Sequence, residues 1–429
     1  MSNHSKELAD AETMSKTERR KRIRCLMLHI FANVTIFCMP IQAGPKVVAD
    51  LCNGDHSKGA KFLGLCSAGS AAIEFLINPT LGCWSDAHGR RFCFLLGPIG
   101  SIFTSTIYAL LPQSLPLIAF VRVVGNSMNG MSGSTSTLTA LTDVCCGDTT
   151  VMTQAAAAFN AWANMGVVVG PVIGGIILDC WGDRSLYAVK AVLSFLHAVM
   201  VCKYMPETLA LDHRRPFNRR YVSPFSFFKL FRTTPMLTAL TVCNTFSLLN
   251  DGKCVSDLNQ LWMRANLKWS VRQSASWTVG AGLSGMVAGA FIADPIIRNL
   301  GARGAQSFGA LFGIIGYAVT GFFSKGWAYW TGLLLRMGCV GEGVLKAAAT
   351  KHAVNAGMGA GQYQGQLMNL RALVFVFGPL FFTQLYARQV AKGGLPGASY
   401  ILVGLLSWLV PELMHQTWSN DQVLTSRSG

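Results

Sequence analysis

The sequence predicts an all-α membrane protein of twelve transmembrane helices, arranged as two pseudo-symmetric six-helix bundles. Three observations predict it. Apolar runs of membrane-crossing length recur along nearly the whole chain, basic residues gather between those runs, and matching features sit six runs apart on either side of a proline-rich centre. A crossing helix needs about 20 mainly apolar residues. The apolar runs fall at 24–45, 59–83, 92–112, 117–141, 154–178 and 185–204, and then at 235–258, 273–295, 305–323, 327–350, 366–387 and 398–414.

Composition agrees with the pattern. Of 429 residues, 51% are hydrophobic and only 13% charged, about half the usual charged fraction of a soluble domain. The 36 Lys and Arg outnumber the 20 Asp and Glu. In a nucleic-acid-binding protein such an excess clusters on folded faces; here it punctuates the apolar runs, so it reports topology and no nucleic-acid partner is expected. The 13 cysteines lie mostly inside apolar runs with no Cys-x-x-Cys pair, and read as small buried hydrophobes rather than metal ligands or disulfides.

Residues 1–22 are polar, lack the layout of a secretory leader, and read as a cytoplasmic tail. Residues 23–205 form the N-terminal six-helix bundle, 206–234 a cytoplasmic linker, 235–414 the C-terminal bundle, and 415–429 a second cytoplasmic tail. Twelve crossings put both termini on one side. Arg19, Arg20, Lys21, Arg22 and Arg24, then Arg90 and Arg91, then Lys203, Arg214, Arg215, Arg219, Arg220, Lys229 and Arg232 all fall on the cytoplasmic face of that arrangement. Lys58, Lys61, Arg264, Lys268 and Arg272 oppose it.

The centre, Pro206 to Pro235, carries four prolines and many charges, a natural seam between halves. Span four has Arg122, Gly125 and Gly130 where span ten has Arg336, Gly338 and Gly343. Span five has Gly170-Pro171 where span eleven has Gly378-Pro379. A duplicated half produces such a common offset, and repeated halves place a ligand site near the membrane midplane.

The loop between spans two and three reads Gly82-Cys-Trp-Ser-Asp86-Ala-His-Gly89-Arg90-Arg91. A small residue allows close helix approach, an acid sits at a helix end, and Gly89 permits the turn. The loop resembles the signature loop of the major facilitator superfamily, Gly-x-x-x-Asp-x-x-Gly-Arg-Arg/Lys, with Ala87 where a basic residue is common. The resemblance implies that Asp86 faces the N-terminus of the eleventh helix, that Arg90 pairs with Asp143 at the end of span four, and that together they latch the outward-facing state. The plainer reading makes Arg90 and Arg91 topology determinants only. In the second half Asp294, Arg298, Gly301 and Arg303 look like a degenerate copy with altered spacing.

In span five, Gly166, Gly170-Pro171, Gly174 and Gly175 clear one helix face for close packing. The run resembles the motif of proton-coupled antiporters in the superfamily; generic tight packing explains it equally. Ser223 to Lys229 and Gly361 to Gly365 resemble the tetracycline-efflux-like and hippocampus-abundant-transcript-like branch. Span one, around His29 and Asn33, lacks the acid of the tetracycline exporters, so tetracycline is not implied as substrate.

A charge at the centre of a span costs about 2.5–3.5 kcal/mol on insertion scales, so each invites a functional reading. Arg122, with Asn126 and Asn129 at i+4 and i+7, forms a polar stripe that either lines a cavity or braces helices. Glu74, flanked on one face by Ser70 and Asn78, is the leading candidate for a proton-carrying carboxylate, with Asp251 and Glu342 as competitors. Arg336 is the second-half counterpart of Arg122. No nucleotide-binding loop, catalytic triad or metal cluster stands out, so neither an enzyme nor a cofactor is expected.

The resemblance implies a secondary active transporter of a small organic solute working by alternating access, with proton-coupled efflux as the leading mode. Alternatives are a uniporter or symporter of sugars or organic anions, or a transporter-derived sensor or scaffold that moves nothing. Expected partners are the solute, protons and the lipid bilayer of the plasma or an organelle membrane, with a monomer as the default state.

Overall fold

In the computed structural model the described residues are 16–145, 149–209, 214, 217, 223–250, 252–339, 349–350, 352–353, 355–358, 360–395 and 397–412. They form helices joined by turns and short connections, with no strand among them. In chain order the helices are α1 (Lys16–Cys38), α2 (Ala43–Leu51), α3 (His56–His88), α4 (Arg91–Leu110), α5 (Leu115–Gly130), α6 (Ser136–Cys145), α7 (Thr149–Tyr204), α8 (Pro235–Ser247), α9 (Gly252–Ala265), α10 (Val271–Val287), α11 (Ala293–Phe322), α12 (Gly326–Leu335), α13 (Ala360–Lys392) and α14 (Ala398–Gly404).

Local sequence sets the ends and breaks. The Ser114 and Thr234 side chains accept the backbone N–H of Leu117 and Leu237, each just before a proline that needs no donor at a helix start. Ser270 and Gln273 form a reciprocal capping box on α10. Pro40 marks a short 3-10 turn between α1 and α2. α7 is 56 residues long and breaks at Gly182, whose φ of 80° is the left-handed region glycine tolerates. Gly301, at φ 67°, breaks α11 in the same way.

Seven segments among the described residues are long and apolar enough to cross a membrane: Thr17–Leu51, His56–His88, Arg91–Leu110, Ala158–Tyr204, Val271–Gly301, Gly304–Phe322 and Gly365–Lys392. Ala158–Tyr204, at 47 residues, is twice the length of one crossing and contains the Gly182 break. Three expected spans are split locally and so fall short of the length. The run 117–141 divides at a π-turn over Met131–Thr135, 235–258 divides at a 3-10 turn over Leu248–Asn250, and 327–350 leaves α-helix at Arg336–Gly338.

The chain divides into two compact units, residues 1–46 with 73–224, and 47–72 with 225–429. In the first, Leu26, Met27 and Ile30 of α1 pack with Phe94, Leu141 and Val144 in a core closed by α7. Large apolar side chains also point outward, among them Leu110 at 75% and Trp181 at 68% exposure. A soluble fold rarely presents such a surface; lipid covers it in a membrane protein.

Candidate functional site

The α3–α4 loop brings together a cluster of charged and polar groups. Gly89 turns the backbone at φ 111°, which sends the next residue back under α3. The Arg90 guanidinium donates from Nε to Asp143 at 3.0 Å and from Nη1 to Ser85 at 3.0 Å, and its Nη1 lies 2.5 Å from Asp86. The Arg90 side chain is only 10% exposed and Asp143 16%, against 44% for Asp86. One cation thus serves two carboxylates and a hydroxyl near the membrane edge, where a pair is screened less than on an open surface. Burial works against the Arg90 charge, yet Asp143 and Asp86 hold its pKa above the ordinary arginine value. Burial pushes the Asp143 carboxyl up, against the pull of Arg90, and Asp86 and Glu207 push the same way.

Glu207, just beyond α7, completes this cluster and was not singled out from sequence. Its carboxylate accepts the backbone N–H of Arg90 at 2.8 Å and Arg91 at 3.3 Å, and those of Thr208 and Leu209 at 3.0 and 3.1 Å. A carboxylate at the start of α4 meets the positive end of that helix. The Glu207 side chain occupies the space beside Gly89, where an added Cβ would stand 2.3 Å from its Oε2. Arg91 donates to the Cys202 carbonyl. A carboxylate immediately after a proline at the end of a basic-flanked span was the available signal.

The second-half loop is built differently. Arg298 Nη2 pairs with Asp294 at 2.7 Å, one helical turn away, but the two side chains are 77% and 65% exposed. Gly301 has open space around its absent side chain.

Inside the first unit Glu74 is buried at 6% exposure. Its carboxylate lies against Gly130, where an added Cβ would come within 2.3 Å of Oε1. Arg122 turns toward the α1–α2 corner, with Nη1 2.6 Å from the position a Gly44 Cβ would take. Asn126 is half-buried, and buried Asn129 donates to Ser101 of α4 at 2.9 Å, so the far end of the stripe joins two helices. The glycine face of α7 lies on α1: Cβ atoms added at Gly166, Gly170 and Gly174 would come within 2.9 Å of Val34 Cβ, 2.5 Å of Thr35 O and 2.0 Å of Met39 O. Pro171 and Gly175 are buried beside them. The α1 residue His29 meets His197 of α7, His197 Nε2 to His29 Nδ1 at 3.0 Å, with Ser132 O 3.4 Å from His29 Nε2.

In the second unit Arg336 caps its own helix through the Gly332 carbonyl at 3.2 Å and lies 4.6 Å above the Tyr317 ring. Tyr329 and Tyr400 share a 2.9 Å hydroxyl contact, and each donates to Asn259 at 2.9 Å. Asp257, buried at 7% exposure, accepts from Ser67 at 2.5 Å. Asp251 and Glu342 lie outside the described residues.

Comparison with known proteins decides what these clusters belong to. Residues 55–383 match the profile of the Major Facilitator Superfamily. The chain belongs to that superfamily. It is a major facilitator protein similar to tetracycline resistance protein class C of Escherichia coli, 28% identical over 390 residues that cover 89% of this chain and 93% of the relative. It is also similar to hippocampus abundant transcript-like protein 1 of Homo sapiens, 23% identical over 332 residues covering 74% of this chain and 62% of the relative. Among solved structures, the human organic anion transporter MFSD10 shares the fold with a TM-score of 0.70 and 18% identity, over 93% of this chain and 99% of that one. This major facilitator chain is an integral, multi-pass membrane protein.

Proposed function

We propose that this chain is a secondary active transporter that exports a small organic solute in exchange for protons by alternating access. The single observation that carries the reading is Arg90, held between Asp143, Asp86 and Ser85 at the end of a loop with the superfamily's motif. A guanidinium with several partners on two helices can release some without losing all, as a conformational latch requires. Asp86, Gly89, Arg90, Arg91 and Asp143 form that latch; at Gly82, expected to ease helix approach, an added Cβ would meet nothing within 4 Å. Glu74 carries the exchanged proton. In this reading twelve helices form two six-helix bundles, 23–205 and 235–414, the linker 206–234 and both tails face the cytoplasm, and the protein acts as a monomer.

The similarity to tetracycline resistance proteins supports export over uptake. Span one, around His29 and Asn33, lacks the acid of the tetracycline exporters, so tetracycline is not assumed as the cargo. An untargeted comparison of small molecules inside and outside cells expressing wild type or Asp86→Asn at equal surface levels tests the reading. A compound displaced outward only by wild type, with displacement lost in Glu74→Gln, is the expected result. Equal profiles across growth conditions would turn the reading toward a protein that moves nothing.

A further inference from the structure

Two histidines meet in the interior of the first unit, and the latch uses neither. His29 of α1 is 0% exposed and His197 of α7 4%, each inside a segment of membrane-crossing length. His197 Nε2 lies 3.0 Å from His29 Nδ1, and the ring centres are 4.9 Å apart. His29 Nε2 lies 3.4 Å from the Ser132 carbonyl oxygen, and the Phe94 ring of α4 meets the His29 ring edge-on at 4.8 Å. Ionisable side chains inside a membrane are rare and costly, and they mark proton paths.

The hydrogen bonds fix where the protons are. A carbonyl oxygen only accepts, so His29 Nε2 carries a hydrogen and Nδ1 is bare. His197 Nε2 then donates to that Nδ1, which leaves His197 Nδ1 as the bare end of the chain. Both rings are neutral in this arrangement. A proton arriving at His197 Nδ1 makes an imidazolium without breaking either hydrogen bond. The Nε2 hydrogen of His197 can then cross to His29 Nδ1. That moves the charge to His29, returns His197 to neutrality and leaves the His29 Nε2–H on Ser132. One positive charge is shared over two rings, and it opposes a second. A neutral amide at either position would brace α1 against α7 as well, but could not take the proton.

The place of the pair in the fold points the same way. The Ser132 carbonyl belongs to the π-turn Met131–Thr135, where Gly133 leaves helical geometry. Such turns within helices are frequent at functional sites. Ser132 Oγ donates to the Phe94 carbonyl at 3.0 Å, and the Asn33 side chain, one turn after His29, lies against Gly133 and Gly97. Glu74 lies against Gly130, two residues before Ser132. On the faces of α1 and α7 that carry the pair, the other titratable side chains are Arg22 and Cys25 before His29, and Lys190 and Tyr204 two turns either side of His197. Among the described residues the group acting on His197 is His29, and on His29 it is the Ser132 carbonyl, with no charged side chain against either ring.

We propose that His29 and His197 form a proton-binding pair, which holds one proton between α1 and α7 beside the turn that Glu74 packs against. The proposal rests on the transporter reading for its use, where the pair is a second proton-binding group alongside Glu74. The binding itself is tested without any solute.

The test uses the full chain in phosphatidylcholine liposomes, isotopically labelled at its histidine ring nitrogens and followed by solid-state NMR from about pH 8 to about pH 4. The two rings are assigned by the signals lost in His29→Gln and His197→Gln. At the alkaline end both carry hydrogen on Nε2 alone, and on acidification one shared imidazolium appears. Each variant keeps a donor and an acceptor for the brace, so its Tm stays close to that of wild type. The surviving ring then needs about tenfold more protons, one pH unit, for the same imidazolium signal. Hydrogen on Nδ1 of either ring at the alkaline end, no imidazolium from the pair at the acid end, or an unchanged titration of the surviving ring would overturn the proposal. In the cell experiment above, a compound displaced equally by wild type and both variants would sink the pair's part in transport and leave the transporter reading standing. The expected titration with no compound displaced by wild type would do the reverse.

Discussion

The α3–α4 loop and its second-half counterpart start from related residues and end as opposites. Both carry an acid, a glycine in the left-handed region and an arginine. In the first, Arg90 follows Gly89 directly, so the turn aims the guanidinium inward at Asp143, and Glu207 closes over the turn. In the second, Arg298 precedes Gly301 by three residues and stays on the helix surface with Asp294. The buried arginine thus follows its glycine directly, and the exposed one precedes its glycine. Exposed pairs contribute about 0–1 kcal/mol, whereas breaking a buried pair costs about 3–5 kcal/mol.

The largest effect separating the two loops is expected from Asp143→Asn. It leaves Arg90 with one carboxylate, and transport at equal surface level should drop at least tenfold, while Asp294→Asn stays within about twofold. Solute flux in cells checks both, and equal losses would erase the distinction. Next in size is Gly89→Ala. A left-handed residue with a Cβ costs about 1–2 kcal/mol, and here the new carbon also displaces Glu207. Its Tm should fall by more than that of Gly301→Ala, which has the conformational penalty alone; a reversed order would show that Glu207 yields freely.

How much of this was readable in advance follows the same logic. Membrane class, helical fold and family were legible because apolar runs and the loop motif are local properties of the sequence. The closeness of Arg90 and Asp143 came from the resemblance, not from spacing. Glu207, His197 and Asp257 were missed because partners of each lie far along the chain. Lys190 was missed too but was detectable, as a basic residue inside the run 185–204, by the rule that drew attention to Glu74 and Arg122. The apolar pattern also does not show where a helix will kink. Hence 117–141 and 235–258 read as single spans, although π and 3-10 turns divide them.

Two smaller effects sharpen the contrast. Glu207→Gln keeps the acceptor oxygen but removes its charge from the start of α4, and a twofold to fivefold loss of flux is expected; Glu207→Ala should be worse, and equality of the two would make charge the whole contribution. The smallest effect is in pH. The Asp143 carboxyl is raised above the ordinary carboxylate value of about 4, so its charge is lost as pH falls through that raised value, earlier than for an ordinary aspartate. Flux should therefore decline on mild acidification of the loop side, and Asp143→Asn should lack that limb of the profile. An identical limb in the variant would assign it to another group.

The central claim is that the buried first-half arginine, and not its exposed counterpart, governs movement of solute. The direct measurement compares flux of the displaced compound in cells expressing wild type, Arg90→Gln or Arg298→Gln at equal surface levels. Flux lost at least tenfold in Arg90→Gln and kept within about twofold in Arg298→Gln is the predicted result. Full flux in Arg90→Gln, or equal loss in both variants, would contradict it.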